Sequence, residues 1–184
     1  MSITAILNEI KKYTTKNITV TGGEPLIHED IKYLLRALSE EGYDVNVETN
    51  GSVSIDPYFE DNECLKREYL NVWFTIDYKS LSSGMKDKMD SNNFKYPYRK
   101  TVYKFVVGNK DDLDEAKLII NRLITNTEGY NLSNLIYISP VFGEIEPKEI
   151  VEYMQKNNLF STIIPIRVQV QLHKIIGDKD KRGV

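Results

Sequence analysis

Residues 17 to 42 constrain the fold most, because the hydrophobic period changes inside them. Ile18-Thr19-Val20-Thr21 has the β-branched content and alternation of a short strand. It runs into Gly22-Gly23, where the backbone can take angles closed to other residues and a ligand can approach the main chain. Beyond Pro25 the period lengthens: Ile31, Leu34, Leu35 and Leu38 share one face of a helix predicted from Glu29 to Glu41, with Gly42 as its C-cap. Such a strand-turn-helix unit points open amides and carbonyls at whatever lies beyond the strand's carboxyl end.

The same alternation continues. A first helix carries Ile6, Leu7 and Ile10 as its apolar stripe, and a strand is predicted at Val45 to Thr49, followed by the Asn50-Gly51 turn and an irregular connection from Ser52 to Glu68. Val72-Trp73-Phe74-Thr75-Ile76 and Thr101 to Val107 are nearly continuous apolar runs, the pattern of parallel strands covered on both faces. Between them Tyr78 to Lys100 is polar and is expected to be the most mobile loop, with one short helical turn at Met85 to Asp90. Asp111-Asp112 suit the positive end of a helix dipole and open a helix whose stripe is Leu113, Ala116, Ile120 and Leu123. After a polar linker at Thr125 to Ser133 come a strand at Leu135 to Ile138 and a helix with Pro147 near its start and Ile150, Val151 and Met154 facing inward. Ile166, Val168, Val170 and Leu172 alternate with Arg167, Gln169 and Gln171, the cleanest period-two pattern in the chain. Repeated strand-helix alternation predicts an α/β fold with a mostly parallel sheet and right-handed crossovers, in one domain spanning residues 1–184.

Composition narrows the function. With 41% hydrophobic and 28% charged residues the chain can bury a real core, and no apolar run is long enough to cross a bilayer, so a cytoplasmic location is expected. A formal net charge of -3 gives no general attraction to nucleic acid or anionic lipid, while a purine-like small molecule stays open as a partner. A single cysteine, Cys64, excludes an internal disulfide and reads as a partly buried small residue.

Thr21-Gly22-Gly23-Glu24-Pro25 resembles the GGEP motif of the radical S-adenosylmethionine (SAM) enzymes. Within them the chain is similar to the 7-carboxy-7-deazaguanine synthase family of queuosine biosynthesis. That narrower resemblance rests on Glu48-Thr49-Asn50-Gly51-Ser52, Asp77-Tyr78-Lys79, Lys104-Phe105-Val106-Val107-Gly108, Ile138 to Gly143, Gln169 to Lys174 and Arg182-Gly183-Val184, which occur in the family's order across nearly the whole chain. It implies a partial, open TIM-like barrel of radical SAM type. It also implies a carbon-nitrogen lyase reaction: a reduced 4Fe-4S cluster splits SAM, the resulting radical takes hydrogen from 6-carboxy-5,6,7,8-tetrahydropterin, and magnesium assists ring contraction to 7-carboxy-7-deazaguanine. An external electron donor and a homodimer are further expectations.

Carried over residue by residue, the resemblance implies that Gly22, Gly23 and Glu24 contact the methionine end of SAM. Asp77, Tyr78 and Lys79 would lie near its ribose, and Ser139, Pro140 and Val141 near its adenine. Thr21, Glu48, Asn50, Gln169, Gln171, His173 and Val184 would meet the substrate, Glu48 by accepting two parallel N–H bonds from an aminopyrimidinone edge. Taken singly, Asn50-Gly51 is a turn, Lys79 and Lys104 are surface charges and His28 is a capping or surface residue.

The sequence departs from the family in one respect that matters. The family holds its cluster through a cysteine triplet, usually CxxxCxxC, ahead of the GGEP turn, and one cysteine placed after that turn cannot supply three thiolates. The reading is therefore of an amino-terminally truncated member, missing the first strand, the triplet and the residue that helps hold magnesium, and inactive on its own. Gly177 also stands where the resemblance calls for a tryptophan. Two alternatives stay open: a non-catalytic scaffold that keeps the fold, and a different radical SAM enzyme such as an activating enzyme.

Overall fold

The computed structural model describes residues 1–60, 65–127 and 135–171. Among them six strands form one open, all-parallel sheet in sequential order: β1 (Asn17–Val20), β2 (Asp44–Thr49), β3 (Val72–Lys79), β4 (Thr101–Val107), β5 (Leu135–Pro140) and β6 (Ile166–Val168). Helices α1 (Ile3–Ile10), α2 (Ile31–Glu40), α3 (Lys110–Thr125) and α4 (Pro147–Lys156) accompany them. Sequential order with right-handed crossovers puts every connecting helix on the same side of a parallel sheet. The core agrees: Val47, Phe74, Tyr103, Phe105 and Ile138 pack into one cluster with Leu35 of α2, Ile120 of α3 and Ile150 of α4. The architecture is a partial TIM-like barrel, with helices outside and the other sheet face turned inward.

That inner face corrects one expectation. β3 and β4 are not covered on both sides; burial alternates strictly, with Val72, Phe74, Ile76 and Tyr78 buried and Trp73, Thr75, Asp77 and Lys79 only partly so. Trp73 and Val102 are apolar yet lie on the inner face, which made the run look continuous.

Helix boundaries follow local chemistry. Pro25 opens a short 3-10 turn over Pro25–Ile27, so α2 starts two residues later than the periodicity suggests, and Gly42 takes the left-handed φ of 77° just past its end. The Asn109 side chain caps α3 by accepting from the Asp112 N–H. In α4, Ile150 and Met154 face inward as predicted, but Val151 is 41% exposed and Tyr153 takes the inward place instead.

Two other expectations change. The strand predicted beyond Val168 stops there, although the Gln169 N–H still donates to the Ile138 carbonyl at 3.0 Å. In this register the next donor towards β6 is residue 140, and Pro140 has no N–H, so the ladder ends. The segment from Tyr78 to Lys100 is stapled down rather than loose. Its fully buried Asn93 accepts from the Ile55 N–H and donates to the Gly51 and Val53 carbonyls, while Phe94 and Tyr98 enter the core. Part of the polar linker at Thr125 to Ser133 lies outside the described residues.

Candidate active site at the carboxyl ends of the strands

The turn after β1 is divided between inside and outside. Gly22 and Gly23 adopt φ of 106° and 55°, in the left-handed range that favours glycine, and no atom lies within 4 Å of where a Cβ would stand on either. The main chain there is bare towards the site. Glu24 turns the other way. It is 7% exposed, and its carboxylate accepts from the Leu26 N–H at 3.1 Å, the Asn50 N–H at 2.7 Å and the Thr49 hydroxyl at 2.8 and 2.9 Å. The Thr49 oxygen accepts in turn from the Gly51 N–H at 3.1 Å. One buried carboxylate therefore ties the glycine turn to the end of β2.

The inner face carries the remaining polar groups in rows set by the strand register. Thr21 and Glu48 are exposed neighbours, with the Thr21 hydroxyl 3.4 Å from Glu48 Oε2. On β3 the Asp77 carboxylate lies between two ammonium groups, Oδ2 at 3.4 Å from Lys79 and Oδ1 at 3.4 Å from Lys104. Register places Asp77 opposite Lys104, Lys104 opposite Tyr137, and Tyr137 opposite Arg167. Further along, Ser139 is buried and its hydroxyl donates to Gln169 Oε1 at 3.3 Å.

Two clefts flank this face. One of about 310 Å³ is lined by Asn50, Ser52, Lys79, Met85, Lys88 and Met89. The Asn50 side chain accepts from the Ser52 N–H at 2.9 Å, the turn predicted for it, and the Lys79 N–H lies 3.0 Å from the Met89 sulfur. The other, about 350 Å³, has Pro140, Phe142, Val170 and Gln171 in its wall. Val141 lies beside it, its N–H donating to the Val107 carbonyl at 2.8 Å.

Most of the sequence-predicted residues thus converge on one end of the sheet, but Tyr78 does not. Alternation puts it on the helix-covered face, where its hydroxyl donates to Glu115 at 2.8 Å and its ring packs edge-on to Phe94. Burial, and then that carboxylate, push its hydroxyl pKa well above the ordinary tyrosine value. His173, Val184, Cys64 and Gly177 lie outside the described residues. Sequence reasoning missed Lys104 and Arg167 as members of this face. The signal was present: Lys104 stands between Tyr103 and Phe105, both fully buried, so a two-residue period turns it inward.

Comparison with known proteins agrees with this geometry. Residues 1–156 match the radical SAM superfamily model. The 7-carboxy-7-deazaguanine synthase of Clostridium acetobutylicum is 42% identical over 182 residues, which cover 97% of this chain and 74% of that protein. The synthase of Chlorobaculum tepidum is 31% identical over 189 residues, covering 100% of this chain and 76% of that protein, and that of Leptospira interrogans is 31% identical over 199 residues, covering 100% and 74%.

Proposed function

Because the chain belongs to the radical SAM superfamily, and within it to the 7-carboxy-7-deazaguanine synthase family, we propose that its inner face binds SAM beside a carboxylated pterin for ring contraction to a 7-deazapurine. The observation that carries this is the divided turn: Glu24 fixes the loop from within while Gly22 and Gly23 leave bare main chain facing the ligand. That cradle fits the methionine end of SAM, whose ammonium needs carbonyl acceptors and whose approach a Cβ would obstruct. When bound, SAM supplies the adenosyl group with which the family abstracts hydrogen.

The chain's own groups bind and orient. Asp77 and Lys79 lie at the level assigned to the ribose, and Ser139, Pro140 and Val141 at that of the adenine. Glu48 accepts the donor-rich pyrimidinone edge, beside Thr21 and Asn50. Gln169 and Gln171 extend the same polar wall.

The cluster is a different matter. The family implies a 4Fe-4S centre on three thiolates, and these 184 residues hold one cysteine, so they do not fit it. We assign them binding and positioning, with the electron-transfer chemistry resting on cysteines they do not contain. For this chain by itself, that count favours a second reading, a fold that binds ligand without radical chemistry. The proposal extends to the family's magnesium, electron donor, homodimer and cytoplasmic setting, and no step above depends on them. Among the described residues no group of three His, Cys, Asp or Glu gathers to hold a metal, and no helix is long and apolar enough to cross a membrane.

The test is a chimera that joins the cysteine-bearing amino-terminal segment of a family member to this chain, assayed anaerobically for 7-carboxy-7-deazaguanine. Product formation that disappears in Glu48→Gln is expected. A chimera that takes up its cluster and cleaves SAM but makes no product would overturn the substrate assignment.

A further inference from the structure

We propose that Lys104, positioned by Asp77, receives the carboxylate of the ligand held on the inner face. The inference rests on the reading above, that this face takes SAM beside a carboxylated pterin. Asp77 accepts two ammonium groups, one at each oxygen, so the trio carries one positive charge in excess. Its side chains are only 27% to 31% exposed, so more than two thirds of each is withdrawn from water and the surplus charge is poorly screened.

Among the described residues, the groups around Lys104 leave that charge unmatched. Val102 and Val106 flank it along β4, and Tyr137 stands opposite on β5. Thr75, the inner-face residue before Asp77, is neutral, and its hydroxyl donates to Asn46. One strand beyond Tyr137, Arg167 adds a second cation. On the other side, β1 and β2 present Thr19, Thr21, Asn46 and Glu48, whose only charge is negative. The face is therefore polarised, acid over β2 and base over β4 and β6, with β2 and β4 about 10 Å apart across two strand spacings. A rigid ligand with N–H donors at one end and a carboxylate at the other matches that polarity. Lys79 pairs with the far oxygen of Asp77, so when Lys104 shares its ammonium with a ligand carboxylate Asp77 keeps one cationic partner.

Two ligands of this site carry a carboxylate, the pterin and the methionyl end of SAM, and matched pairs of probes separate them. Affinity for 6-carboxypterin against pterin, and for S-adenosylhomocysteine against its decarboxylated form, which keeps the ammonium, is measured by calorimetry on the full chain and on Lys104→Met and Lys104→Arg. The expected result is that the wild type prefers the carboxylated member of one pair, that Lys104→Met lowers this preference about tenfold, as for one hydrogen bond to a charged group, and that Lys104→Arg restores most of it. Unchanged affinity for the carboxylate-free member shows that the variant still folds and keeps its site. If Lys104→Met leaves both preferences intact, or if the wild type has no preference in either pair, the proposal is overturned. A wild type that binds neither pterin also removes the pterin reading, whereas one that binds both pterins equally leaves that reading standing and removes only the assignment of Lys104 to the pterin's carboxylate.

Discussion

Replacing Glu24 by alanine tests the division of labour in the glycine turn. The substitution strips three donors of their acceptor: the Leu26 N–H, the Asn50 N–H and the Thr49 hydroxyl, all at or near the buried end of β2. A buried donor left unsatisfied costs about 1–3 kcal/mol. Asn50 is only half-buried and can recruit water, and removing a buried carboxylate recovers part of its own desolvation cost, so the net loss is set at about 3 kcal/mol. In a chain of this size that lowers the melting temperature by roughly 6–12 °C. Urea denaturation followed by circular dichroism should show a lower midpoint with an unchanged slope, the signature of lost stability without a change in the exposed surface. Glu48→Ala is the control, because that carboxylate is exposed and its hydrogen bond from Thr21 is long at 3.4 Å. It should cost under about 0.5 kcal/mol while weakening pterin binding. If Glu24→Ala is as mild as Glu48→Ala, the carboxylate does not hold the turn, and the argument that the motif's glutamate acts from inside fails.

Asn93→Ala should cost about 2–3 kcal/mol in the same denaturation experiment, since it orphans the Ile55 N–H and two carbonyls; a loss below about 0.5 kcal/mol would mean that the segment after β3 is not pinned there. Burial, with smaller contributions from Tyr69 and Glu24, pushes the Tyr58 hydroxyl up to about 12, so its neutral form is favoured in the fold: this contribution is complete below pH 10 and is lost as pH rises towards 12. Tyr58→Phe should flatten that alkaline loss, and an unaltered pH profile would contradict it. Anaerobic reconstitution of the 184-residue chain with iron and sulfide should give no broad brown absorbance, because one thiol replaces three, and a stable cluster would refute the ligand arithmetic.

The architecture was readable because period and punctuation coincide: apolar alternation at Val45 to Thr49 and a helical stripe at Leu113 to Leu123 leave little room for another arrangement. What escaped were effects between distant residues. Asp112 reads as a charge at a helix start, yet it is 1% exposed, with its carboxylate accepting from the Gly108 N–H at 2.9 Å and from the Ser82 N–H at 3.2 Å, so it clamps the loop after β3 to the end of β4. Nothing in the local pattern marks that pairing, since Ser82 and Asp112 are 30 residues apart. The length of β6 escaped for the same reason. Its own alternation runs on past Val168, but the limit is imposed by Pro140 on the neighbouring strand.

The inner face shows why motif and mechanism do not coincide residue by residue. In the turn Thr21 to Pro25, Glu24 and Pro25 are buried and serve the fold, while Thr21, Gly22 and Gly23 remain open to a ligand. In Asp77-Tyr78-Lys79 the strand period divides the triplet again, sending Asp77 and Lys79 inward and Tyr78 against Phe94. A motif on a strand therefore sends every second residue to the inner face and the others to the core. By the same period Lys104, which read singly is a surface charge, is brought onto the inner face beside Asp77 of the neighbouring strand. For a partial barrel of this kind, cross-strand register is thus a better guide to the inner-face set than adjacency in sequence.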